Sequence, residues 1–310
     1  MTMKNIAITI RSFDEAGSAM ALLKEKFHIS YINKTGRHLS DDELIDAIRD
    51  ADAIIAGTER FSEKTFLSAP KLHMISRVGI GLDSIDLDAA RKKNIQILST
   101  PESPVQAVAE HTLGLLLAIL KNIPADNSAM RIGVQRRNPG YLLSGKKVGI
   151  VGLGRIGTRV GTILDLLGCR IAYYDPFLNR SVNEHWEKKT TLEDLVIDVD
   201  ILTLHAASGP DQKPLIEQKI ISKCRRGIII INCARGSLID EPALIGGLEE
   251  GTIGAAGLDV FSKEPYTGRL LEFPQVITTP HVASNTVESR SDMEMESVEN
   301  IIRYFKERSQ

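Results

Sequence analysis

From the amino terminus, short apolar runs alternate with amphipathic stretches. "NIAITI" at 5 to 10 is followed by a helical stretch to Phe27, "ISYI" at 29 to 32, a helix opened by Ser40, "ADAIIAG" at 51 to 57, and so on to "IQILS" at 95 to 99. Strands alternating with helices at this rhythm predict a parallel sheet with crossover helices. The first strand runs into Arg11-Ser12-Phe13-Asp14, so this unit lacks a glycine-rich turn for a phosphate. Pro101 and Pro104 then interrupt the pattern and mark a first hinge before a long apolar helix expected from Val105 to about Leu120. A second series runs from Lys146 to "VITT" at 276 to 279, and contains "GIIIIN", whose four isoleucines fit a strand covered on both faces. From Thr286 the tail reads as an amphipathic helix with Met295, Val298, Ile302 and Phe305 on one side. If that tail packs back on the first unit, the chain crosses between units twice. The expected fold class is therefore α/β: two Rossmann-like or flavodoxin-like parallel-sheet domains, residues 101–283 forming one that is inserted in the other, built from 1–100 and 284–310.

Composition narrows the function classes. A chain of 310 residues suits two domains, and 43% hydrophobic with 25% charged residues is the balance of a globular protein. The formal net charge is −2 with Lys and Arg scattered, which argues against nucleic acid or an anionic membrane as partner. The longest strongly apolar run, "LGLLLAIL" at 113 to 120, falls short of the roughly 20 residues that span a bilayer. With no basic-apolar leader, and with Cys169, Cys224 and Cys233 odd in number and lacking a CxxC spacing, the expectation is a cytoplasmic protein with reduced thiols and no metal site. Cys233 reads as a small buried strand residue.

The first chemical signal is "VGIVGLGRIG", in which Gly152, Gly154 and Gly157 follow a strand and open a helix carrying Ile156, Val160, Ile163, Leu164 and Leu167 on one face. Gly152 permits a tight turn, Gly154 lets a pyrophosphate reach the backbone, and Gly157 lets helix and strand pack closely. The helix N-terminus then favours the phosphate charge. A glycine turn with no ligand has the same three glycines, so the context matters. The next strand ends in Asp175, 18 residues beyond Gly157, where a carboxylate accepts bonds from ribose hydroxyls and repels a 2′-phosphate. NAD is thus favoured over NADP, the alternative for Asp175 being a turn acid before Pro176.

Three later strand ends carry unusual polar residues: "INCARG" gives Arg235, "GLDVFSKEP" gives Asp259 and Glu264, and "TTPH" gives His281. A Rossmann-type sheet presents all of them at its carboxyl edge beside a nicotinamide. Arginine offers a bidentate fork for a carboxylate and polarises an adjacent carbonyl. Histidine titrates near neutrality, and a carboxylate neighbour orients its ring. Singly, Arg235 also reads as a surface ion pair, Glu264 as a turn acid and His281 as a satisfied histidine. Behind a nucleotide turn, the three together read as hydride-transfer machinery.

At these residues the sequence resembles the D-isomer-specific 2-hydroxyacid dehydrogenase family, phosphoglycerate dehydrogenases among them, over nearly its whole length. The matching stretches are "SRVGIGLDSID", "GLGRIG", "INCARGSLIDEPAL", "GLDVFSKEP" and "TPHVAS". The resemblance implies an NAD-dependent oxidoreductase that interconverts a 2-oxo acid and a D-2-hydroxy acid. In it Arg235 binds the substrate carboxylate and carbonyl, Glu264 pairs with His281, and His281 exchanges the proton. It further implies that Val78 and Gly79 bind substrate through their N–H groups, and that Gly152, Gly154, Arg155, Ile156, Gly157, Asp175, His205, Ala234 and Asp259 contact the cofactor. The inserted domain would be the NAD-binding one, the other a mobile substrate domain, and the assembly a homodimer through residues 101 to 140. A non-catalytic NAD(H)-sensing protein of the same fold is the rival reading.

The sequence also departs from the family pattern. After His205 it has "AASGPDQKPLI", where the family often has Thr or Pro followed by Leu-Thr, so the loop over the nicotinamide is expected to differ. Phosphoglycerate-specific relatives place arginines where Ala56 and Thr58 stand, with Arg60 or Arg77 as substitutes. With no extension after Gln310, a serine-binding regulatory domain is not expected.

Overall fold

The computed structural model describes residues 3–135, 139–178, 182–209, 211 and 213–308; positions 210 and 212 of the unusual loop after His205 lie outside the described residues, as do 136–138 of the expected dimer region. The chain divides into two compact units, Met1–Pro104 with Asn285–Gln310, and Val105–Ser284. The second is inserted in the first. Each is an α/β unit built on a wholly parallel sheet.

In the first unit, strands β1 (Asn5–Ile8), β2 (His28–Ile32), β3 (Ala53–Ala56), β4 (Met74–Arg77) and β5 (Gln96–Ser99) lie in the order β2-β1-β3-β4-β5. Helices α1 (Ser18–Lys26), α2 (Asp41–Ile48), α3 (Glu63–Leu67) and α4 (Leu87–Lys92) make the crossovers. Ser40 opens α2 with a capping box: its hydroxyl takes the Glu43 N–H while the Glu43 carboxylate takes its own. All four residues of β3 are buried, as expected of a central strand covered on both faces.

The second unit opens with α5 (Val105–Leu120) and α6 (Ile123–Arg131). Its sheet strands are β6 (Lys147–Val151), β7 (Arg170–Tyr174), β8 (Glu187–Lys188), β9 (Ile201–Leu204), β10 (Ile228–Asn232), β11 (Ile253–Leu258) and β12 (Val276–Thr278). The strand order is β12-β11-β10-β9-β6-β7-β8, the Rossmann arrangement, with crossovers by α7 (Arg155–Leu166), α8 (Leu192–Val196), α9 (Gln218–Ile221) and α10 (Glu241–Glu250). The direction of winding reverses between β6 and β9, and there the carboxyl ends of neighbouring strands part to leave a crevice. Ile228, Ile230 and Ile231 of β10 are buried, between core layers that include Leu244 and Ala256 in one and Leu116 and Val160 in the other.

The chain returns to the first unit through α11 (Val287–Glu307), whose N-cap Thr286 accepts the Ser289 N–H. Its fully buried apolar face is Met293, Val298, Ile301 and Tyr304, whereas Met295, Ile302 and Phe305 are only partly covered. The expected face is therefore rotated. Polar side chains take buried positions on this helix: Glu294 accepts the Asp14 N–H at 3.0 Å, and Asn300 donates to the Ser99 carbonyl at 3.1 Å. Internal partners make those positions tolerable for polar groups, and the apolar pattern alone does not register them.

Candidate functional site

The cradle sits at the crevice between β6 and β9. Gly152 has φ +86°, and a Cβ there would lie 2.6 Å from the Ala206 nitrogen, so the turn after β6 presses against the chain leaving β9. A Cβ on Gly157 would overlap the Gly152 carbonyl oxygen. Gly154 is different: no atom lies within 4 Å of where its Cβ would be. The fold itself does not require a glycine there. The space is open to a ligand, and Gly154 is also the N-cap of α7 with no side-chain cap of its own. Arg155 is exposed and Ile156 half-buried in the first turn of α7, directly after this opening. The residues present fit a pyrophosphate.

Asp175, after β7, accepts the Leu153 N–H at 2.8 Å and the Phe177 N–H at 2.9 Å, one on each carboxylate oxygen. It thereby braces the base of the glycine turn, and each oxygen keeps a lone pair for a hydroxyl. His205, after β9, bonds through Nε2 to the Thr203 hydroxyl at 2.9 Å. Desolvation pushes its pKa down to about 3, so it stays neutral at working pH although part of the ring meets solvent.

The ends of β10, β11 and β12, three adjacent strands, carry the other candidates. Arg235 follows β10; its guanidinium donates to the Ala234 carbonyl at 2.7 Å, and its own carbonyl accepts the Asn232 amide at 2.9 Å. A Cβ on Gly236 would overlap the Phe261 carbonyl carbon, so the backbone after Arg235 lies directly against the loop after β11. In that loop Glu264 accepts the Phe261 N–H at 3.1 Å on Oε1 and meets His281 Nδ1 at 2.9 Å on Oε2. The chain thus brings Arg235, Glu264 and His281 to one edge of one sheet. Because an ionised carboxylate only accepts, Nδ1 of His281 is the donor and Nε2 is left for another partner. Both side chains are substantially exposed, so this pair orients a ring rather than stabilising the fold.

Asp259 has a structural place of its own. The resemblance implies that it contacts the cofactor; here it is fully buried beneath the histidine loop. Oδ1 accepts the Thr279 hydroxyl at 2.5 Å and the Val282 N–H at 2.9 Å, and Oδ2 accepts the Ala283 N–H at 2.9 Å. Its carboxylate is committed to backbone amides and faces inward. Cys233 is also buried, and desolvation pushes its thiol up to about 12, which leaves it inert near neutral pH.

The first-unit loop also holds its expected donors on internal partners. The Val78 N–H bonds the Ala56 carbonyl at 2.8 Å and the Gly79 N–H bonds the Thr100 hydroxyl at 2.7 Å, so neither is open to a substrate. Gly79 has φ +126°, and the Arg77 guanidinium folds over it to donate to the Val78 carbonyl at 2.9 Å. Among the described residues, the N–H groups of Ile80 and Gly81, just beyond, meet no partner. Sequence reasoning missed them, because a donor's availability depends on Thr100, 21 residues away. Among the described residues no cluster of three or more potential ligands for a metal ion occurs, and no helix is long and apolar enough to cross a membrane.

A Rossmann unit with an open phosphate cradle and an arginine, a glutamate and a histidine on the same sheet edge defines a dinucleotide-binding protein of the dehydrogenase type. The model of the D-isomer specific 2-hydroxyacid dehydrogenase NAD binding domain matches residues 113–283, and the chain belongs to that family. Among its relatives is D-3-phosphoglycerate dehydrogenase of Mycobacterium tuberculosis H37Rv, 35% identical over 280 residues, 89% of this chain and 52% of that one. The chain thus spans about half the length of the curated relatives it matches. Solved structures with the same fold include a D-isomer specific 2-hydroxyacid dehydrogenase from Polaromonas, with TM-score 0.88, 28% identity, and 99% and 98% of the two chains covered. Another is an NADPH-dependent glyoxylate/hydroxypyruvate reductase from Sinorhizobium meliloti in complex with NADP and malonate, with TM-score 0.87, 28% identity, and 98% and 94% covered.

Proposed function

We propose that this protein is an NAD-dependent 2-hydroxyacid dehydrogenase that reduces a 2-oxo acid to the D-2-hydroxy acid. The observation that carries the reading is the 2.9 Å contact between His281 and Glu264 on the sheet edge that also bears Arg235. The nicotinamide, when bound, supplies the hydride for the substrate's C2. Arg235 holds the substrate carboxylate with its fork and draws charge on the ketone oxygen. Glu264 keeps the His281 ring oriented through Nδ1, and Nε2 passes its proton to that oxygen as charge develops there. Gly152, Gly154, Gly157 and the first turn of α7, with Arg155 and Ile156, hold the pyrophosphate; Ala234 and His205 line the same edge.

Asp175 supports NAD as the cofactor. Its carboxylate at the rim of the cradle disfavours a 2′-phosphate. A homodimer suits the exposed apolar residues Ile123, Met130, Ile132, Val134, Tyr141 and Leu142, beside a cavity of about 490 Å³ partly lined by Pro124 and Tyr141. The first unit acts as the substrate domain, offering the Ile80 and Gly81 N–H groups to an anion. The test is NADH absorbance with a panel of 2-oxo acids differing in size and charge, phosphorylated ones included. Turnover with one of them is expected; tight NADH binding without turnover on any would favour the NAD(H)-sensing alternative.

A further inference from the structure

His281 has a backbone conformation that an L-residue avoids: its φ is +55°. Such a geometry is costly for an L-residue and persists only where its surroundings over-determine it. The structure shows what does so. The N–H groups of three consecutive residues converge on one aspartate: His281 on the Asp259 carbonyl at 2.8 Å, Val282 and Ala283 on its carboxylate at 2.9 Å each. The resulting concavity is of the kind that binds anions, and here the anion is the chain's own. Asp259 is in turn held from the far side. The Thr279 hydroxyl donates to Oδ1 at 2.5 Å, which leaves its oxygen to accept from His111 Nε2 at 3.0 Å; His111 Nε2 also lies 3.5 Å from Oδ1. His111 belongs to α5, Thr279 follows β12 and Asp259 follows β11, so the strut ties a helix to two strand ends beneath the reactive loop.

We infer that Thr279 and His111 are positioning residues, which hold Asp259 and through it keep the His281 ring aimed at the substrate. The inference rests on the dehydrogenase reading above for its kinetic consequence, and on the hydrogen bonds alone for its structural one. Losing the Thr279 hydroxyl leaves a buried carboxylate short of one donor and the loop free to relax toward an ordinary φ.

The test compares Thr279→Val with Thr279→Ser, and His111→Leu with His111→Gln, which keeps a donor. Thr279→Val is expected to lower kcat about 10- to 100-fold with KM for the oxo acid and NADH affinity changed less than about threefold, while Thr279→Ser recovers most of the rate. His111→Leu should follow Thr279→Val more weakly, and His111→Gln should recover. In parallel, amide hydrogen exchange of the unliganded protein should show lost protection at Val282 and Ala283 in Thr279→Val. Unchanged kcat and unchanged protection would overturn the inference, as would equal losses in Val and Ser variants. Should Thr279→Val not fold, the His111 pair decides in the same way. If the wild type turns over no oxo acid, the dehydrogenase reading fails by itself. Exchange at residues 282 and 283 then still decides the strut: protection lost supports it, protection kept discards it.

Discussion

The loop after β4 and the turn after β6 leave parallel sheets at the same kind of edge, and both use glycine at positive φ, yet they dispose of their N–H groups in opposite ways. After β4, Val78 and Gly79 are bonded to Ala56 and Thr100, and among the described residues open donors begin at Ile80 and Gly81. After β6, internal bonds hold the base of the turn, Gly152 to the Tyr174 carbonyl and Leu153 to Asp175, while the tip at Gly154 stands open. A glycine demanded by the chain's own packing and a glycine with open space around it look alike in a sequence. Their neighbours in space separate them.

Substitutions can sharpen that contrast. The largest effect is expected at Gly157, where a methyl meets the Gly152 carbonyl oxygen: Gly157→Ala should destabilise the second unit by about 1–3 kcal/mol and abolish measurable NADH binding, followed by thermal denaturation and fluorescence titration. Gly154→Ala, with open space around it, should weaken NADH binding about tenfold or more while changing stability by less than about 1 kcal/mol. If both variants lose stability equally, the distinction between packing glycine and ligand glycine fails. Asp175→Ser removes the rim carboxylate; the ratio of NADPH to NADH affinities should rise about tenfold, with some cost to the turn it braces. Smallest in its effect on the cofactor, Thr100→Val strands the Gly79 N–H and should cost about 1–3 kcal/mol in the first unit with NADH affinity unaltered. A drop in NADH affinity there would mean the first-unit loop is not merely structural.

Much of the fold could be read in advance because its signals are local. Ser40 and Glu43 announce a helix start, the isoleucine run of β10 announces a central strand, and the glycines at 152, 154 and 157 announce a strand-to-helix turn. Arg235, Glu264 and His281 were legible for a related reason: each follows an apolar strand, and parallel strands deliver their ends to one edge. Features set by distant partners were not. β8 has two exposed charged residues and exists only because Ala172 and Tyr173 of β7 pair with it. Helix α6 follows Asn122 at φ +56° and has a proline in its first turn, so it begins where the apolar run of α5 had already ended. Asp259 was read as a strand-end acid beside the cofactor, and only the fold shows three successive amides turned toward it.

The most direct test of the central claim is one enzyme preparation measured twice: kcat for 2-oxo acid reduction and the dissociation constant for NADH, in the wild type and in His281→Ala. The rate should fall at least 100-fold and NADH affinity stay within about threefold, because the histidine moves a proton and does not form the cradle. Turnover that survives the loss of the imidazole, or a rate lost only in proportion to lost NADH, would contradict the assignment.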